Sequence, residues 1–273
     1  MGSERETIEV EGRRLAWHSV GRGPALLLIN GYASTGEDWD PTFLAGLAQS
    51  FTVICPDNRG AGGSDLGAGE LTVDGMAADC EALLDAIGAE RLPVVGWSLG
   101  GFVAQRLATR APGRVAALAL LATDPGAPDS VAAEPADWSH LIDPSGSSRE
   151  QASRLISLLF PPELAADIDA RFGDVVAEAR AQLLPQTLRA QEAAMDAWHR
   201  EPQPRLGGGD VPPTLIVHGE LDAVIPAANA EPLAARWPGA RVELLDGCGH
   251  ALMAQEPETA VGLIRALVRG RPT

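Results

Sequence analysis

The stretch Arg91-Leu92-Pro93-Val94-Val95-Gly96-Trp97-Ser98-Leu99-Gly100-Gly101-Phe102-Val103-Ala104-Gln105-Arg106-Leu107-Ala108-Thr109-Arg110 decides how this chain is read. Its first five residues form a short apolar run that reads as a buried strand, and its last ten read as a helix. Between them stands Gly96-Trp97-Ser98-Leu99-Gly100, a G-x-S-x-G pattern. A serine on a strand-to-helix turn is held in a strained backbone conformation that lifts its hydroxyl clear of the sheet. Glycines two before and two after are required, because a side chain there would collide across so tight a turn. The following helix aims its first N–H groups and positive dipole end at any negative charge that develops beside the serine. These residues predict a nucleophile site.

Working outward, strands alternate with helices. Thr7–Val10 and Arg14–His18 read as a hairpin turning at Glu11-Gly12-Arg13. Ala25–Ile29 and Phe51–Cys55 are continuous apolar runs, as expected of strands covered on both faces. Helical spacing runs through Trp39–Ala48, and again through Thr72–Ile87 with Met76, Leu83, Leu84 and Ile87 on one side. Beyond the serine come strands at Val115–Leu121, Thr214–His218 and Val242–Leu245, then a helix over Pro257–Val268. The alternation predicts an α/β fold with a mostly parallel, doubly wound sheet.

The pattern breaks near Asp124 and resumes near Val211. Helical segments punctuated by proline fill the gap, at Arg149–Phe160, Pro162–Phe172 and Val175–His199. The linker Glu201-Pro202-Gln203-Pro204-Arg205-Leu206-Gly207-Gly208-Gly209 closes it. We expect a core domain of residues 1–126 and 206–273, with residues 127–205 a helical lid between two strands. Such an insertion sits over the carboxyl ends of the strands, where open α/β sheets bind ligands. A bundle of surface helices is the plainer alternative. Leu155, Ile156, Leu159, Phe160 and Trp198 supply apolar side chains, some of which are expected to face the site.

Composition narrows the function. Among 273 residues, 21 Lys and Arg stand against 37 Asp and Glu, a formal charge of −16. That field repels nucleic acid and anionic membrane surfaces, so neither is expected as a partner. No basic-plus-apolar signal opens the chain, and its apolar runs are too short to span a bilayer. Cys55, Cys80 and Cys248 have no metal-ligand spacing, and their odd count speaks against a disulfide framework. Reduced thiols in a cytoplasmic protein are the expectation. Nothing reads as a nicotinamide, flavin or metal site, so no cofactor is expected. Gly60-Ala61-Gly62-Gly63 does not open a long helix and is set aside as a dinucleotide motif.

Two residues join Ser98 at the same sheet edge. Asp222 and His250 each lie just past the carboxyl end of a strand. Asp124, after the sixth strand, is a rival for the acid, although Asp124-Pro125-Gly126 is also an ordinary turn. His18 and His218 read as structural. His140 and His199 fall in the insertion, as candidates for the pocket wall or for the surface.

With these residues in view, the chain resembles the α/β-hydrolase superfamily, whose catalytic groups occur in the order serine, acid, histidine. Ser98, Asp222 and His250 keep that order. Asn30-Gly31-Tyr32, Asp57-Asn58-Arg59-Gly60-Ala61-Gly62-Gly63-Ser64, and Gly249-His250 followed by Glu256-Pro257-Glu258 also resemble the family. The likeness covers about residues 6–127 and 205–273. It implies that Ser98 is the nucleophile, His250 its general base and Asp222 the group that orients His250. It implies an oxyanion hole from the backbone N–H groups of Tyr32 and Leu99. The expected activity is cofactor-independent hydrolysis of a small carboxylic ester or lactone through an acyl-serine. Enol-lactonases, methylesterases and cofactor-free haloperoxidases share the pattern. A lyase of the hydroxynitrile-lyase kind and a slow-turnover receptor are the alternatives. Epoxide hydrolases and haloalkane dehalogenases are disfavoured, since they need a carboxylate where Ser98 stands. Two features depart from the pattern. Many relatives carry His-Gly where this chain has Asn30-Gly31, and Cys248 has no assigned role beyond packing or thiol-reagent sensitivity.

Overall fold

The computed structural model describes residues 5–204 and 211–270. Eight strands, β1 (Glu6–Val10), β2 (Arg13–Val20), β3 (Ala25–Ile29), β4 (Thr52–Pro56), β5 (Leu92–Trp97), β6 (Val115–Leu121), β7 (Thr214–Gly219) and β8 (Arg241–Leu245), form one sheet. Their order is β1-β2-β4-β3-β5-β6-β7-β8. Only the β1/β2 and β2/β4 pairings are antiparallel, so the mostly parallel sheet expected from the alternation is what forms. The β1–β2 turn has Glu11 and Gly12 at φ 51° and 76°, the two left-handed residues of a tight hairpin.

The apolar runs of β3, β5 and β6 are buried because helices cover both faces. On one side α2 (Val73–Ala86), α3 (Leu99–Arg110) and α8 (Ala230–Arg236) pack over Leu27, Val94 and Leu118. On the other, α1 (Pro41–Ala48), the short α9 (Leu252–Gln255) and α10 (Pro257–Arg269) cover Leu26, Val95 and Ala119. The alternation of side chains along each strand divides the core this way.

The insertion holds α4 (Pro135–Ile142), α5 (Ser148–Leu159), α6 (Pro162–Ala181) and α7 (Pro185–Arg200). Two expectations need correcting. A break near Gly173-Asp174 does not occur, and α6 runs on to Ala181. Gly173 is buried under the Arg149 guanidinium, which leaves no room for a Cβ and which pairs with Asp169 (2.7 Å) and Asp174 (3.0 Å). It is therefore a packing glycine, and the break falls at Pro185, where a new helix begins. The helix α4 also escaped prediction. It is eight residues long and buries only Leu141, so its apolar period is too short to register. In the linker, residues from Arg205 to Gly209 lie outside those described. Among the described residues, no helix is long and apolar enough to cross a membrane.

Candidate active site

Ser98 sits between the last residue of β5 and the first of α3, at φ 55° and ψ −122°. That backbone conformation is costly for a residue with a Cβ, and close packing on both sides holds it in place. A Cβ on Gly96 would collide with the Gly100 carbonyl, and one on Gly100 with the carbonyls of Ile29 and Asn30 at the end of β3. Ser98 N donates to Leu121 O at 3.0 Å, and Thr123 Oγ1 donates to Ser98 O at 2.9 Å. The turn is thereby tied to β6.

The loop after β3 lies against the serine, since a Cβ on Gly31 would stand 3.3 Å from Ser98 Cβ. Asn30 organises this loop. Its Oδ1 accepts from Gly31 N at 2.8 Å, its Nδ2 donates to Thr35 O, and its carbonyl accepts from Asn58 Nδ2 at 2.9 Å. Ala33 N is also taken, by Gln191 Oε1 of α7 at 2.9 Å. Between these two occupied donors, the Tyr32 N–H makes no hydrogen bond among the described residues. Leu99, first residue of α3, offers an N–H that has no partner within its helix.

At the ends of β7 and β8, Asp222 and His250 meet. Asp222 Oδ2 stands 2.8 Å from His250 Nδ1, while Oδ1 accepts from Val224 N (2.9 Å) and Ile225 N (2.8 Å). Both side chains are buried. Because Nδ1 faces Asp222, Nε2 is the ring nitrogen left for the cavity. His250 is further held by Trp97, whose Nε1 donates to His250 O at 3.0 Å and whose ring lies 5.3 Å from the imidazole. Ala251 N donates to Leu159 O of α5 at 3.0 Å, so the lid touches this loop as well. Ser98 and His250 line one cavity, and Ser98 Oγ makes no hydrogen bond to a described residue.

That cavity has a volume of about 520 Å³. The lid encloses it with Trp138 and Leu141 of α4, Leu155 and Leu159 of α5, and Met195 of α7. Of the five lid residues singled out in the sequence, Leu155 and Leu159 line it, whereas Ile156, Phe160 and Trp198 do not. Trp198 instead stacks on Phe102 of α3, with ring centres 4.9 Å apart and planes at 11°.

Asp124 does not approach His250. Its Oδ1 accepts from Gly126 N (2.8 Å) and Trp198 Nε1 (3.1 Å), and its Oδ2 lies 2.9 Å from His199 Nε2. His199 lines the cavity, whereas His140 is exposed. His18 and His218 are buried, and burial lowers the pKa of both, that of His218 to about 4. Neither lines the cavity. Cys248 is buried too, and burial, reinforced by Glu256 and Asp246, pushes its thiol up. Packing accounts for it better than reactivity. Two residues of the site, Trp97 and Gln191, have no role in the sequence reading, and Leu159, expected there to face the site, also braces the His250 loop through its carbonyl. Trp97 stands in plain view inside the pentapeptide, whereas Gln191 and the Leu159 carbonyl carry no local signal.

Residues 26–262 match the model of the alpha/beta hydrolase family. The chain is 32% identical to a pimeloyl-[acyl-carrier protein] methyl ester esterase of Aromatoleum aromaticum, over 90% of this chain and 99% of that one. A hydrolase of Pseudomonas aeruginosa of known structure superposes with a TM-score of 0.76 at 28% identity, covering 97% of this chain and 98% of that one. Est816, an N-acyl homoserine lactone degrading enzyme, superposes at 0.78 with 25% identity over 96% and 99% of the two chains. Such relatives support a general hydrolase. With its family model matched over most of its length, the chain belongs to the alpha/beta hydrolase family.

Proposed function

We propose that the protein is a cofactor-independent serine hydrolase of small carboxylic esters or lactones, with Ser98 as nucleophile, His250 as general base and Asp222 as its orienting acid. The observation that carries this reading is the convergence at one cavity of a left-handed serine, an Asp-paired histidine and an unpaired N–H at Tyr32. Each fits one step. His250 Nε2 takes the proton as Ser98 Oγ bonds to the acyl carbon. The carbonyl oxygen becomes an oxyanion facing the N–H groups of Tyr32 and Leu99, and such donors contribute about 3 kcal/mol each in acyl-transfer enzymes. His250 then returns its proton to the alcohol oxygen as the carbon–oxygen bond breaks, leaving acyl-serine and free alcohol. Water, deprotonated by His250, attacks the acyl-serine, and His250 passes that proton to Ser98 Oγ as its bond to the acyl carbon breaks, releasing the acid. With a lactone the alcohol stays tethered, and the product is a hydroxy acid. Asp222 keeps His250 in the tautomer with its proton on Nδ1 and stabilises the imidazolium.

A methyl ester esterase and an N-acyl homoserine lactone degrading enzyme among the relatives support this reading. The test is incubation with a fluorophosphonate probe, mass mapping of the labelled peptide, and turnover of p-nitrophenyl acetate in parallel. Labelling at Ser98 with steady turnover is expected. Turnover without a labelled Ser98, or binding without turnover, would end this assignment.

A further inference from the structure

The mechanism uses one histidine–aspartate pair, yet the cavity holds two. His199, near the end of α7, lines the cavity with its Nε2 fixed 2.9 Å from Asp124 Oδ2. Its ring is gripped edge-on by Phe102 of α3 (5.5 Å) and Trp138 of α4 (5.8 Å). Among the described residues its Nδ1 makes no hydrogen bond, and it is not among the buried nitrogens that lack a partner. Nδ1 is therefore accessible, on a side chain that lines the cavity. Phe102 lies one turn of α3 beyond Ser98, roughly 6 Å along the axis, which brings His199 within reach of a medium-length acyl chain on the nucleophile.

The rest of that wall is mostly apolar, so a single placed polar group there discriminates among substrates. On the hydrolase reading above, we propose that His199 is a specificity residue that donates a hydrogen bond to a second, uncharged carbonyl oxygen on the acyl chain. The preferred substrates are thus oxo-acyl esters or lactones and not plain alkyl ones. A second carboxylate is disfavoured, because the charged groups around His199 are the carboxylates of Asp124 and Asp196. From α3 and α4, the aromatic side chains of Phe102 and Trp138 face the ring. Burial pulls His199 down, but the hydrogen bond and charge of Asp124, with Asp196 adding, outweigh it, and its pKa is raised overall. When His199 is protonated both ring nitrogens are donors. Above its pKa the remaining proton stays on Nε2, toward Asp124, and Nδ1 becomes an acceptor.

The experiment compares p-nitrophenyl 5-oxohexanoate and 6-oxoheptanoate with the unsubstituted esters of equal chain length, as a ratio of kcat/KM against pH. The ratio cancels any pH dependence of the chemical step, which both substrates share. In the wild type we expect at least one oxo ester to be favoured by about fivefold, the worth of a single net hydrogen bond, at pH values below the pKa of His199. The ratio should fall toward one as pH rises through that pKa. His199→Phe keeps the aromatic packing, and should bring the ratio to one while turnover of the plain esters stays measurable. Asp124→Asn makes a sharper demand. Its retained oxygen still accepts from Gly126 N and Trp198 Nε1, so the new amide N–H faces His199 Nε2 and drives the imidazole proton to Nδ1. This variant should keep its oxo preference across the whole pH range. A wild-type ratio of one at every pH, a preference that survives His199→Phe, or a wild-type pH fall retained in Asp124→Asn would overturn the proposal. No plain-ester turnover and no Ser98 labelling would overturn the hydrolase reading, and this one with it.

Discussion

Ser98 is an ordinary alcohol made useful by its position. Its left-handed backbone, its contact with the loop after β3 and its place at the head of α3 all depend on neighbours that cannot be exchanged. Ser98→Ala removes only the oxygen, so we expect turnover of activated esters to fall by on the order of 10⁴-fold or more, with thermal unfolding unchanged. Near-wild-type activity in a folded variant would rule Ser98 out. For the acid, the two aspartates separate cleanly by partner, since Asp222 meets His250 and Asp124 meets His199. Asp222→Asn should therefore cost roughly a thousandfold in kcat through loss of tautomer control, and Asp124→Asn less than about tenfold on plain esters. The reverse order would transfer the acid role to Asp124. At this scale most of the site was legible, because each proposed catalytic group sits in a short local context: a strand end, a turn, a glycine at fixed spacing. For His199 the sequence leaves pocket wall and surface both open, and nothing near it names Asp124 as its partner, 75 residues away.

At the scale of elements, the lid is less separable from the chemistry than its sequence suggests. The insertion supplies none of the proposed catalytic atoms. Two of its helices nevertheless brace catalytic loops: α7 through Gln191, bonded to Ala33 N, and α5 through the Leu159 carbonyl, bonded to Ala251 N. Leu155→Ala and Gln191→Ala should thus fail differently. Leu155 lines the cavity and makes no such bond, so its truncation should reorder an ester chain-length series by roughly 1–3 kcal/mol per methylene matched or lost. Gln191 is fully buried, and its loss leaves Ala33 N unpaired beside Tyr32. We expect Gln191→Ala to slow every ester and phosphonate labelling alike, about tenfold, with the chain-length profile intact. Identical profiles for the two variants would erase this division. The core elements were readable because buried parallel strands and amphipathic helices write their periods into contiguous residues. The lid was not, because Gly173 packs where a glycine ordinarily breaks, and α4 buries a single leucine.

For the whole molecule, the excess of 16 negative charges sets which substrates approach. The field acts over a distance that salt controls, about 30 Å at 0.01 M and 3 Å at 1 M ionic strength. Inside the cavity Asp124 and Asp196 carry the same sign, so global field and local wall agree. An ester bearing a free carboxylate meets repulsion on approach and again near His199, whereas a neutral ester of the same length meets neither. Comparing monomethyl adipate with methyl hexanoate isolates this effect, because the reacting methyl ester and chain length are shared. Raising NaCl from 0.01 to 0.5 M should increase kcat/KM for the charged ester by about three- to tenfold while changing that for the neutral one by less than about twofold. The ratio of the two constants should move through the apparent association step, with kcat for each ester nearly constant. A charged ester that instead slows with salt would mean that cations at the cavity mouth outweigh the net charge, and that anionic acyl chains are drawn in. Equal salt responses would confine the field to the far surface, and would leave neutral-substrate selection to the lid.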